Sequence, residues 1–230
     1  MKIISISQSN YIPWKGYFDM IAKSDVFVIY DEVQYTKNDW RNRNIIKTAI
    51  GPKWITIPVK KEKLSKKINE TFTISNGWQK KHMNMITINY SKASYFKKYS
   101  KQLFSIYDKS ESLSEINFNF IKEICDILGI KTEILQSTDL NLVGDKNSKL
   151  IDACKKLEAD VYLSGPRGSN YLNLELFDKN KLKVEFMDYS DYPQYPQLFG
   201  DYLNQVSILD LIFNVGPNAS NYLKYLKNEK

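Results

Sequence analysis

The pentapeptide Trp40-Arg41-Asn42-Arg43-Asn44 holds two of the chain's three arginines. In extended backbone, side chains alternate, so Arg41 and Arg43 would share one face and Asn42 and Asn44 the other. Two neighbouring guanidiniums form a bidentate clamp for phosphate or carboxylate, a task lysines perform less well. The competing use of each arginine is an ion pair with a carboxylate at the edge of the core. Two groups could move protons. Asp31 ends an apolar run, where burial can raise a carboxyl pKa toward the range of a general base. His82 is the single histidine and the side chain whose ordinary pKa lies near neutrality. A lone histidine on an apolar helix face is as readily a satisfied core residue. Gln8, Asn10, Tyr11, Trp14, Tyr17, Gln34 and Trp40 crowd the same N-terminal stretch as candidate substrate contacts, with Tyr11, Trp14 and Tyr17 as apolar walls. Farther on, Ser164-Gly165-Pro166-Arg167-Gly168-Ser169 could offer backbone N–H groups to a phosphate, with Arg167 in support. Its spacing is neither a P-loop nor G-x-G-x-x-G, so the motif is weak.

Several chemistries find no footing. One histidine and two distant cysteines provide neither a zinc cluster nor a Cys–His nucleophile pair in sequence, and no metal is expected. Kinase, hydrolase-elbow and dinucleotide fingerprints are missing. Where nucleotidyltransferase-type α/β proteins carry H-x-G-H, this chain reads Trp14-Lys15-Gly16-Tyr17.

These residues need elements to hold them. Ile3, Ile4 and Ile6 mark a buried strand that breaks at Gln8-Ser9-Asn10. A short helix follows around Phe18–Ala22, then an apolar strand from Val26 to Tyr30 ending in Asp31-Glu32. Lys53 to Val59 reads as a strand with Pro58 at its end or edge. Lys60 to Lys67 reads as a mobile connector. From Gly77 to Gly129 the apolar residues recur at helical spacing. Trp78, His82, Met85, Ile86 and Tyr90 form one stripe; Tyr95, Phe96, Tyr99, Leu103 and Tyr107 form another. A third helix opens on the capping box Ser112-Leu113-Ser114-Glu115 and closes at Gly129. Strands at Thr132–Gln136, Asp160–Leu163 and Leu182–Met187, with a helix at Ser148–Glu158, make a second α/β half. Tyr189 to Tyr202 reads as a folded loop or lid, Val206 to Val215 as a helix, and a short fraying helix follows from Asn221. The fold class is therefore α/β: a Rossmann-like open, mostly parallel sheet with a helical block inserted between its two halves. One domain spans 1–230, with 1–59 and 131–215 as halves and 77–129 as the block. Such sheets bind ligands outside the carboxyl ends of their strands.

The 230 residues are 43% apolar and 26% charged, enough for a sizeable core and unlike a disordered chain. No apolar run approaches the roughly 18 residues of a membrane span, and the N-terminus lacks a signal peptide's apolar segment. Cys125 and Cys154 lie on apolar helical stripes and read as buried free thiols. The expected location is the cytoplasm. Net charge of +7 is uneven: residues 1–107 hold 19 Lys/Arg against 7 Asp/Glu, and the remainder 14 against 19. All four tryptophans also lie in the basic half. Basic and aromatic side chains together suit an anion with a stackable part, such as a nucleotide, a nucleotide-sugar or a nucleic acid. The lysines also fit a solvated surface in a Lys-, Asn- and Ile-rich chain. That reading does not extend to the three arginines.

The string Q-S-N-Y-I-P-W-K-G-Y-F-D, followed by D-x-V-Q-Y, W-x-N-R-N and I-K-T, resembles the WbqC-like family of bacterial glycan-locus proteins. The resemblance continues through Trp54–Val59, Trp78 with His82, Tyr162-Leu163-Ser164-Gly165 and Ser207-Ile208-Leu209-Asp210. Members often open on I-H-Q-P-N-Y, whereas Ser7 and Ser9 stand here at the His and first Pro positions. The resemblance implies a role in surface-polysaccharide (O-antigen-type, lipopolysaccharide) biosynthesis, decorating amino sugars. Together with the residues, it leads to a transferase adding a small acyl or aminoacyl group to the amine of a nucleotide-linked amino sugar. In that reading Asp31 or His82 is the base and Arg41 and Arg43 hold the diphosphate. The donor is an acyl-CoA, an acyl adenylate or an aminoacyl-tRNA, with tRNA a partner only in that last role. The alternative is an RNA-binding module that grips nucleic acid with the basic half.

Overall fold

The computed structural model describes residues 1–60 and 66–226. In chain order its strands are β1 (Ile3–Ser7), β2 (Val26–Ile29), β3 (Arg43–Thr48), β4 (Gly51–Thr56), β5 (Glu133–Gln136), β6 (Val161–Ser164) and β7 (Lys183–Phe186). Five form one sheet in the order β5-β2-β1-β6-β7, and β3 and β4 form a separate hairpin. Every pairing in the five-stranded sheet is parallel, with Ile4 beside Val26 and Ile3 beside Val161. The fold is α/β and Rossmann-like.

Residues 1–29 build β1, then α1 (Lys15–Lys23), then β2. Between β2 and β5 lie the hairpin and three helices, α2 (Trp78–Tyr90), α3 (Phe96–Phe104) and α4 (Leu113–Leu128). The chain then runs through α5 (Lys146–Lys156), β6, α6 (Leu174–Lys179) and β7, and closes with α7 (Ile208–Val215). Alternation along the strands divides the core. Phe27, Ile29 and Leu163 point into a large cluster with α1, α2, α3, α4 and α7. Ile4, Ile6, Val26, Val28 and Tyr162 point into a smaller one with α5 and α6. The inserted hairpin and helices thus pack with α1 and α7 on one face of the sheet, and α5 and α6 cover the other. Strand order reverses on either side of β1, so the crevice between the β1 and β6 loops is the topological switch point.

The shifts at element ends have local causes. The hairpin ladder starts at Gly51, whose φ of +108° makes the turn, so β4 begins before Lys53 and ends before Pro58. Asp145 and Ser207 cap α5 and α7 by accepting from Ser148 N and Leu209 N. Ser112 caps α4, and Gly129 ends it in the left-handed region at φ +74°. The C-terminal segment begins as a tight 3-10 turn, Gly216–Tyr222. Most of the Lys60–Lys67 connector, and the end of the expected terminal helix, lie outside the described residues.

Candidate functional site at the carboxyl edge of the sheet

The loop after β1 is held under strain. Ile12 has φ +36°, in a region unfavourable to a β-branched residue and doubly so before Pro13. Buried side chains fix it there. Asn44 Nδ2 donates to the carbonyls of Tyr11 (3.0 Å) and Ile12 (2.9 Å), and Ser207 Oγ donates to Ile12 O (2.8 Å). Tyr11 N donates to Trp40 O at 2.9 Å, so the hairpin's leading segment is stitched to the same loop. Backbone strain so firmly over-determined is characteristic of functional loops.

Asp31, just past β2, is 4% exposed. Oδ1 accepts from Ser9 N (2.8 Å) and Oδ2 from Ser114 Oγ (2.5 Å). Ser114 lies in the first turn of α4, so the carboxylate sits at a helix N-terminus, where the peptide dipoles favour negative charge. One helical turn on, Asn117 Nδ2 donates to Ser9 Oγ (3.0 Å) and Arg41 O (2.8 Å). Asn10 Oδ1 accepts from Arg41 Nη1. Asp31, Ser9, Asn10, Arg41 and α4 thus meet at one edge.

On the hairpin, Asn42 and Asn44 are buried while Arg41 and Arg43 are half-buried on the outer face, as alternation requires. Arg41 Nη2 lies 3.7 Å from Asp39 Oδ2. Burial alone would raise the Asp39 carboxyl; the Thr36 hydrogen bond and the arginines outweigh it and lower its pKa. Arg43 lies over the Trp54 ring at 4.2 Å, and Trp54 in turn meets Trp40 at a centroid distance of 5.1 Å. Several buried polar atoms in this neighbourhood have no partner among the described residues: Arg41 Nε, Arg43 Nε, Asn42 Oδ1, Asn117 Oδ1, Tyr35 Oη and Asn69 Oδ1. Buried polar atoms are nearly always satisfied, and leaving one bare costs about 1–3 kcal/mol.

His82 belongs to a different construction. Its Nε2 faces Thr56 O at 3.1 Å, so that nitrogen carries the proton and Nδ1 accepts from Tyr11 Oη at 2.8 Å. Tyr11 Oη in turn bonds Tyr107 Oη. Both imidazole nitrogens are engaged, and burial pulls the pKa down to about 4 against the smaller opposing effect of the Thr56 carbonyl. The ring is neutral at pH 7. Tyr11 is 0% exposed and Tyr17 4%, with Tyr17 Oη donating to Gln8 O at 3.0 Å. Both phenols lie in the core rather than on a ligand-facing wall.

A family model for the WbqC-like protein family matches residues 8–222. The chain belongs to the WbqC-like family. It is also similar to the "Uncharacterized protein Rv1507c" of Mycobacterium tuberculosis (strain ATCC 25618 / H37Rv), 44% identical over 230 residues, covering 99% of this chain and all of the relative.

The remaining expected contacts of this WbqC-like protein are distributed around the edge. Ser164 and Gly165 end β6 on the same side as Asp31, but the Ser164 hydroxyl turns under Gly168, where a Cβ would meet it at 2.1 Å. Arg167 is exposed, and Gln34 is exposed beside Lys67. Trp14 is half-buried; its ring covers Gly16, which a Cβ would strike at 2.3 Å, and it meets Tyr189 and Tyr192 edge-on. Those tyrosines belong to a strap between β7 and α7 that lacks helix or strand. Two buried lysines pin it. Lys15 Nζ donates to Tyr202 Oη (2.9 Å) and Pro193 O (3.2 Å) beneath the Tyr192 ring, and burial lowers its pKa to about 8. Lys47 Nζ donates to Gln197 Oε1 (2.9 Å) and Asp201 O (2.5 Å). A cleft of about 400 Å³ between Ile45, Pro52 and residues 202–206 has no charged lining residue. Among the described residues, no cluster of three or more His, Cys, Asp or Glu could hold a metal ion. No helix among them is long and apolar enough to cross a membrane.

Ser9, Ser114, Asn117, Lys15 and Lys47 were not among the expected contacts. Asn117 had a signal in the sequence: it lies on the α4 stripe with Ile121, Ile124 and Leu128, where an amide is out of place unless it reaches a polar site.

Proposed function

We propose that this WbqC-like protein is a transferase that adds a small acyl or aminoacyl group to the amine of a nucleotide-linked amino sugar in surface-polysaccharide biosynthesis. The observation that carries this reading is the pair of buried guanidinium nitrogens, Arg41 Nε and Arg43 Nε, which with the nearby Asn117 Oδ1 have no partner among the described residues. Donors and acceptors left bare together call for a ligand that is both anionic and rich in hydroxyls or amides. A sugar diphosphate has that character. The diphosphate lies on Arg41 and Arg43, and the sugar points toward Asn10 and Asp31, which Arg41 and Ser9 already link to the clamp. Gln8, Trp14, Gln34, Gly165 and Arg167 border the same edge.

In the reaction the sugar amine attacks the acyl carbonyl of a thioester, acyl adenylate or aminoacyl ester. The C–N bond forms, the bond to the leaving sulfur or oxygen breaks, and the amine's proton passes to Asp31. Each Asp31 oxygen accepts one hydrogen bond from the described residues and keeps a further lone pair for this purpose. His82, with both nitrogens engaged, instead holds Tyr11 and so the strained loop. The test is single-turnover acylation of a nucleotide-linked amino sugar by Asp31→Asn and His82→Gln. Asp31→Asn is expected to lose about 10²–10⁴ in rate with little change in substrate affinity, and His82→Gln to stay within about tenfold of wild type. Wild-type turnover by Asp31→Asn would remove the mechanism.

A further inference from the structure

Trp54 and Trp40 are 42% and 41% exposed, unusual for indoles that already touch each other. In the hairpin register Arg43 opposes Thr56 and Ile45 opposes Trp54, so Arg43, Ile45, Trp54 and Thr56 share the outer face. Along that face Arg43 leans over Trp54 at 4.2 Å, and the two indoles meet at 5.1 Å and 40°. The opposite face, with Asn44, Ile46 and Ile55, is buried in the core. An open aromatic surface therefore adjoins guanidiniums whose Nε atoms are buried and have no partner among the described residues.

We infer that Trp54 and Trp40 form a stacking platform for the nucleobase of a nucleoside diphosphate whose phosphates lie on Arg41 and Arg43. This inference rests on the clamp reading of the proposed function and assigns the end of the ligand that reading leaves open. Charge complementarity selects the occupant: a flat ring beside an anion matches indole beside guanidinium, whereas an apolar peptide would leave the arginines bare. The phenols of Tyr11 and Tyr17 are buried and offer no face to a base, whereas the indoles beside Arg43 are open. Stacking of a base on an aromatic side chain tolerates any base identity, so the platform binds the nucleotide class while polar groups near Asn10 select the sugar.

The experiment is calorimetric titration of the intact protein with UDP, GDP, inorganic pyrophosphate, a sugar 1-phosphate and a single-stranded RNA oligonucleotide. Wild type is expected to bind a nucleoside diphosphate at least about tenfold more tightly than pyrophosphate or the sugar phosphate. Trp54→Ala and Trp40→Ala should each lose about fivefold to 100-fold toward the nucleoside diphosphate, the usual range for one stacked base. Trp54→Phe should recover most of it. Trp40→Ala complements Trp54→Ala, since Trp40 makes no cation–π contact among the described residues and its removal leaves the Trp54 ring under Arg43 in place. Wild-type affinity for nucleoside diphosphates in both alanine variants would overturn the platform, as would equal binding of pyrophosphate and nucleoside diphosphate by wild type; the clamp would survive either result. Failure of wild type to bind any of the small anions would remove clamp and platform together. Binding of RNA alone would do the same.

Discussion

Burial fixes the charge state of His82, and this has a measurable consequence at the scale of the single residue. In the unfolded chain a histidine titrates near its ordinary value, about 6.5; in the fold His82 is pulled down to about 4 by burial. As pH falls through that window the unfolded state takes up the proton first. The stability contributed by the neutral ring is therefore complete above about pH 6.5 and drains away toward pH 4. About 3 kcal/mol is at stake, by linkage. His82→Gln keeps an acceptor for Tyr11 and a donor for Thr56 but cannot titrate. Its melting temperature is expected to fall less than that of wild type between pH 7 and pH 4.5, and parallel pH profiles for the two proteins would contradict this. A histidine one helical turn after Trp78 was visible in the sequence as either core or catalytic. Nothing in the sequence says that Thr56 and Tyr11 occupy its two nitrogens, because both partners are distant in the chain and meet only once the hairpin packs on α2.

The strap between β7 and α7 shows how an element without regular structure is made definite. Its fixed points are the donors of Lys15 and Lys47, residues that are 2% and 3% exposed. Neither forms an ion pair among the described residues; their ammonium groups are satisfied by carbonyls, an amide and a phenol. Lys47→Met preserves the apolar stem but removes the donors, leaving the Asp201 carbonyl without its partner and Gln197 Oε1 with Leu203 N alone. The expected loss is about 1–3 kcal/mol, with faster chymotryptic cleavage around Tyr195 and Tyr202. Unchanged stability and cleavage would show that the strap is held by its tyrosines alone. The sequence marked this segment as a folded loop from its Tyr, Pro and Gln content. It did not set Lys15 and Lys47 apart from the other lysines, since composition cannot separate a buried ammonium from a solvated one. The parallel strands and the Ser112 cap of α4 were legible, because their apolar periods and cap residues are local; the reciprocal half of the expected capping box is replaced, since Ser112 N donates to Ser110 Oγ rather than to Glu115. The hairpin was half legible: Lys53–Val59 read as a strand, whereas Arg43–Thr48 carried too many amides and charges to show a period.

At the scale of the whole molecule, crossover connections bring the carboxyl ends of all five sheet strands to one edge. Residues from β1, β2, the hairpin and α4 meet there although the sequence separates Ser9 from Asn117 by 108 positions. The excess of positive charge in residues 1–107 admits either a nucleotide-sugar or RNA. The proposed function takes the compact ligand, because two of the unpartnered buried atoms among the described residues are the Nε atoms of neighbouring Arg41 and Arg43. Calorimetric titration of wild type and Arg41→Ala with a nucleoside-diphosphate-linked amino sugar, alongside RNA at two salt concentrations, tests this most directly. Wild type is expected to bind the nucleotide-sugar saturably and one-to-one. Arg41→Ala should weaken that binding by about 1.5–3 kcal/mol, the scale of a charge-assisted hydrogen bond, with no change in fold. RNA binding that falls steeply with salt, with no response to the nucleotide-sugar, would contradict this reading.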